Sequence, residues 1–65
     1  MVNINEAVNA HLNKTPIIAK WPFTKPIEYK CIVKINDDKN SVVLADKCGH
    51  SFVIANLKDI QIKGV

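Results

Sequence analysis

The spacing of apolar residues changes period partway along the chain, and that change divides it into segments. In residues 3–14, Ile4, Ala7, Val8 and Leu12 recur at the three- and four-residue intervals of an α-helix, with His11 on the same face. Asn3 precedes the first of them and Glu6 follows Asn3 by three. The Asn3 side chain can therefore accept from the Glu6 amide while the Glu6 carboxylate accepts from the Asn3 amide. Thr15 stands before Pro16, and a residue in that position is pushed out of helical geometry, which ends the helix. A helix of about three turns is marginal in isolation. It must dock on the rest of the chain or on a partner.

Residues 15–26 carry no period. They hold Pro16, Pro22 and Pro26 together with Trp21 and Phe23, and proline excludes both a continuous helix and a central strand. The segment is expected to be an irregular or extended connector, with residues 17–20 pairing briefly at a sheet edge.

From Ile27 the period is two. Ile27, Tyr29, Cys31, Val33 and Ile35 alternate with Glu28, Lys30, Ile32, Lys34 and Asn36, which predicts one long strand with the first set buried. The polar run of residues 36–40 predicts a turn. Residues 41–46 supply a second strand, Lys47-Cys48-Gly49 a turn in which Gly49 is free to take positive φ, and residues 50–55 a third strand. Asn56-Leu57-Lys58-Asp59 then makes one helical turn before a last strand, Ile60-Gln61-Ile62. No segment repeats and no boundary leaves two viable cores. Residues 1–65 are read as one domain: helix 3–14, connector 15–26 and β unit 27–62.

That order of elements over residues 28–62 resembles the small barrels of the SH3-like and Sm-like kind. The run from Phe52 through Ala55-Asn56-Leu57-Lys58-Asp59 to Ile62 is similar to the strand, single turn and closing strand that end Tudor, KOW and Sm-like barrels. With the helix ahead of it, the order also resembles Hfq. The resemblance implies a mainly β (α+β) fold, a short N-terminal helix followed by a barrel of four to five strands. Cys31–Ile35 lacks the glycine at which Sm-like proteins bend their second strand, so only the topology is carried over, not an RNA site or a ring.

Length and composition exclude more than they identify. Sixty-five residues leave no room for a cofactor domain beside a substrate domain, and a composition that is 48% hydrophobic is too apolar for a disordered tail. No apolar run approaches the roughly 20 residues needed to span a bilayer, and no apolar leader follows Met1; the expectation is a soluble cytoplasmic protein without membrane attachment. Two cysteines are too few for a disulfide-built scaffold, which agrees with that compartment. A core this small leaves little net stability, so self-association or a tight partner is expected to supplement it.

The net charge of +3 permits a polyanionic partner. All nine basic residues are lysine, and lysine attracts phosphate as a point charge without arginine's bidentate reading of guanine, which disfavours sequence-specific groove recognition. Lysine, asparagine and isoleucine make up 25 of the 65 residues, as AT-rich coding produces, so part of the missing arginine is explained without function. Small size and that composition also suit a phage or mobile element.

Candidate chemistry is sparse. Cys48 and His50 lie two apart in a turn, and His11 with Cys31 would have to complete a metal set; two close-spaced ligand pairs mark a structural zinc site, and only one imperfect pair is present. As a nucleophile and base, Cys48 and His50 lack a group to orient the histidine. Asp37 and Asp38 read as turn residues. No cofactor and no enzymatic activity are expected. Trp21 and Phe23, braced by prolines, suit a binding hot spot or a base-stacking platform, but a chain this small needs every large apolar group it has, which favours both rings covering an open barrel end. Lys25, Lys30, Lys34 and Lys63, beside Tyr29 and Trp21, form the basic surface that could follow a phosphate backbone, or simply a solvated face that guards a strand edge. The function expected is a non-catalytic module engaging nucleic acid through these residues. The alternative is a small regulatory or inhibitor protein that docks on a cellular or host protein through Trp21-Pro22-Phe23 or a strand edge.

Overall fold

Capping and docking together fix the helix. In the computed structural model, which describes residues 2–64, α1 spans Ile4–Asn13. The Glu6 amide donates to Asn3 Oδ1 at 2.9 Å and the Asn3 amide to Glu6 Oε1 at 3.2 Å, so the expected capping box forms. Lys14 ends the helix in the left-handed conformation at φ 53°, its N–H reaching back to the carbonyls of Ala10 and His11. The buried face differs from the expected one. Ala7 and Ala10 are buried and Ile4 and His11 partly so, whereas Leu12 is 71% exposed and Val8 also faces outward. Two alanines allow α1 to lie close on the sheet beneath it, and the larger side chains are turned away.

Among the described residues, six short strands form two three-stranded antiparallel sheets. In the first, β1 (Ile17–Ala19) lies between β2 (Ile27–Tyr29) and β6 (Ile60–Ile62). In the second, β4 (Ser41–Ala45) lies between β3 (Cys31–Ile35) and β5 (Phe52–Asn56). A single 3₁₀ turn, Leu57–Asp59, joins β5 to β6. The two sheets do not make a closed barrel. The mainly β class with one helix therefore stands in its coarse form.

Two sequence expectations are corrected here. The connector contributes a central strand rather than an edge pairing: β1 fits between Pro16 and Pro22, so neither proline removes one of its ladder donors, and Pro16 instead accepts from the Lys63 amide at 3.0 Å. The single long strand from Ile27 is two strands, one in each sheet, with only Lys30 between them. Beyond that break an extra residue enters the ladder, because Ile32 pairs with Leu44 while Lys34 pairs with Val43, leaving Val33 bulged. The alternation is thus reset twice. Ile32 is buried at 1% exposure and Val33 lies outside, the reverse of what strict period two predicts.

The core lies between the sheets and under α1. Ile17, Ile32, Val42, Leu44 and Ile60 are its largest fully buried side chains, with Ala19, Ala55 and Leu57 filling beside them. His11 closes the helix side. Its Nδ1–H donates to the Ile32 carbonyl at 2.7 Å, satisfying backbone next to the bulge.

Candidate functional site

The connector separates its two rings. Trp21 is half-buried against the core and meets Tyr29 of β2 edge to face, with ring centroids 6.2 Å apart and planes at 81°. Two residues on, Phe23 is 96% exposed. Residues 22–24 form a turn, the Thr24 amide donating to the Trp21 carbonyl at 3.3 Å, and Pro22 and Pro26 restrict the backbone on either side of Phe23 and Lys25. The two rings are thus placed differently: Trp21 covers the core, as expected of both, and Phe23 faces solvent.

Strand alternation does not place the lysines on one face. Lys25, Lys30 and Lys34 are exposed and make no ion pair among the described residues. The bulge at Val33 lies between Lys30 and Lys34, and Lys30 itself marks the break between the sheets, so strand alternation no longer ties the two to one side. Lys63 is engaged elsewhere. Its Nζ donates to Glu28 Oε1 at 2.9 Å, and Lys47 approaches the same oxygen at 3.7 Å. The Lys63 hydrogen bond, helped by the charges of both lysines, holds the Glu28 carboxyl below its ordinary value against a smaller opposing effect of desolvation.

The turns are organised by carboxylates. Asp38 Oδ1 accepts from the amides of Asn40 at 2.8 Å and Ser41 at 3.2 Å, and Lys39, between Asp38 and Asn40, sits at φ 58°. Asp46 Oδ1 accepts from the His50 amide at 2.9 Å, and Gly49 supplies the positive φ of 74° expected of it. Those amide bonds are the main reason that both aspartates ionise below their ordinary range. Cys48 and His50 are exposed within this turn, and Cys31 is buried. Among the described residues no three His, Cys, Asp or Glu side chains stand together as a ligand set. None of the helices described is long and apolar enough to cross a membrane.

One concavity was not foreseen. Asn3, Asn40, Asn56, Lys39 and Lys58 surround an apolar floor of Val2, Ile4 and Leu57, enclosing about 570 Å³. It brings together the start of α1, the β3–β4 turn and the 3₁₀ turn, with the Leu57 amide donating to Asn40 at 2.9 Å and the Val2 amide to Leu57 at 3.3 Å. Its residues come from three separated segments, and only the run Ala55-Asn56 ahead of the last turn could have drawn attention to it. Compared with protein-family models, with curated proteins and with solved structures, the chain matches none of them.

Proposed function

We propose that this protein is a non-catalytic binding module that engages nucleic acid without strong sequence preference, Phe23 stacking on a base and Lys25, Lys30 and Lys34 contacting phosphates. The observation that carries the reading is the placement of Phe23. A large ring at 96% exposure contributes nothing to the core, while Pro22 and Pro26 restrict the backbone beside it, so stacking on it costs less entropy than on a free chain. Lysine, which attracts phosphate without reading base edges, accounts for the absence of sequence preference. The fold reading that accompanies it is an open SH3-like or Sm-like arrangement, with the chain passing directly from β2 in one sheet to β3 in the other. Its support is the single residue, Lys30, between those strands and the one 3₁₀ turn between β5 and β6.

Fluorescence anisotropy with a labelled single-stranded oligonucleotide tests the proposal. Binding should be strongest at low ionic strength, and three phosphate contacts give a slope of log affinity against log salt of about −2. Loss of one stacked base is worth about 1–3 kcal/mol, so Phe23→Ala should weaken binding about five- to 150-fold while leaving the melting temperature unchanged. Absence of binding at the lowest salt would overturn it. The same exposed ring also suits docking on a protein, the regulatory or inhibitor reading. Pull-down from nuclease-treated lysate, with Phe23→Ala as the control, separates the two.

A further inference from the structure

The outer edge of β5 offers a template for another strand. The Asp46 amide donates to the Ser51 carbonyl at 2.9 Å and the Leu57 amide to the Asn40 carbonyl at 2.9 Å, and the β4–β5 register between them runs without a shift. In an antiparallel ladder hydrogen-bonded and non-hydrogen-bonded pairs alternate. Residues 51, 53, 55 and 57 therefore direct their backbone groups toward β4. Phe52, Ile54 and Asn56 direct theirs away, and among the described residues β5 has no second neighbour in its sheet.

The same three residues hold their side chains on the outer face. Phe52 is 63% and Ile54 65% exposed, on a strand with no charged residue and no proline. Exposed edges are ordinarily guarded by charge, bulges or a covering element. The other edges of this molecule are: β3 carries Lys34 and the bulge and has α1 against it, β2 carries the Glu28 ion pairs, and β6 is three residues long between Asp59 and Lys63.

We infer that β5 pairs with the β5 of a second copy of this chain, antiparallel about a two-fold axis at Ile54. The free backbone positions are symmetric about that residue: Ile54 faces the partner's Ile54, and Phe52 faces the partner's Asn56. Each of the three gives one N–H and takes one, so every free group is satisfied and the β3-β4-β5 sheets of both copies become continuous. The net charge of +3 on each chain opposes self-association in general and is felt least along β5, which carries no lysine, so this is the edge at which two copies meet with the least repulsion. The longer match is also with itself, since by the same alternation β6 presents only Ile60 and Ile62, and Ile60 is buried. Self-pairing of one edge closes on a dimer instead of continuing into a filament.

The exposed stripe is smaller than the roughly 800 Å² per partner of a tight complex, so the dimer is weak and concentration decides its population. Sedimentation should therefore span about 10 µM to about 1 mM of the whole chain, the affinity range of small interfaces. The expected result is a monomer–dimer equilibrium. Amide hydrogen exchange on the unmodified protein gives the strand-level reading: protection at 52, 54 and 56 should rise with concentration, while 53 and 55 are protected throughout. Ile54→Lys or Ile54→Glu alone should weaken the dimer at least tenfold by placing like charges across the axis, and an equimolar mixture of the two should restore it as a heterodimer. A monomer at every concentration, a dimer with 52, 54 and 56 still exchanging, or two charge variants that fail to rescue each other would each overturn the inference. Both variants are at an exposed position, and unchanged far-ultraviolet circular dichroism verifies their folding.

Discussion

At the residue scale, carboxylates do much of the local organisation, and they make the molecule sensitive to acid. Asp38 is held ionised chiefly by the Asn40 amide, Asp46 chiefly by the His50 amide and Glu28 chiefly by the Lys63 ammonium. In each case the folded chain is the stronger acid. The unfolded chain consequently binds more protons as pH drops, and the stabilisation is complete above the usual carboxylate range and disappears as pH falls through the lower folded values. The thermal midpoint should be flat from pH 7 to about 5 and then decline toward about pH 2.5. Asp38→Asn, which keeps the acceptor oxygen and removes the titration, should reduce that decline. A midpoint unchanged down to the lowest pH would show that these bonds do not couple to folding. The separation of Trp21 from Phe23 belongs to this scale as well. Both are aromatic, both lie beside a proline, and only the turn at residues 22–24 decides which one the core receives.

At the scale of elements, what could be read from sequence was what is decided locally. The α1 capping box depends on two side chains and two amides within four residues, and it forms as read. Replacing Asn3 by Ala should cost about 1 kcal/mol, measured by urea denaturation, because it leaves the Glu6 amide without its acceptor. Glu6→Gln, which retains an acceptor for the Asn3 amide, should cost less. The turns at residues 36–40 and 47–49 were legible for the same reason, although the second extends past Gly49 and the strand expected from His50 begins at Phe52. Decisions made by neighbours in space were not. Nothing in Ala7 and Ala10 announces that they are preferred to Val8 and Leu12 at the interface until the sheet beneath is known, since its closeness favours small side chains. The break at Lys30 and the bulge at Val33 occur without glycine, so no residue advertises them. The candidate site inherits that difficulty: Lys30 and Lys34 have the spacing of one strand face, and the reset ladder removes the basis for placing them on it.

At the scale of the whole molecule, the two sheets are assembled from very different separations along the chain. β3, β4 and β5 follow one another through short turns, whereas β1 is flanked by β2 and, at the far end of the β unit, by β6 through the pairing of Ile17 with Ile62. Closing that distance costs loop entropy before any contact repays it. The meander should therefore be structured in the folding transition state and the β1–β6 ladder should form after it. In chevron measurements, Val42→Ala in the meander is expected mainly to slow folding, and Ile60→Val in β6 mainly to speed unfolding. Equal slowing of folding by both would place the ladder in the nucleus instead. The order has a consequence for a chain still acquiring its structure: β5 is complete, with its charge-free edge exposed, before the first sheet and the helix have settled around the core. The interval between those two events is when chains at high concentration are most exposed to joining one another in partly folded form, and conditions that slow the β1–β6 closure should lengthen it.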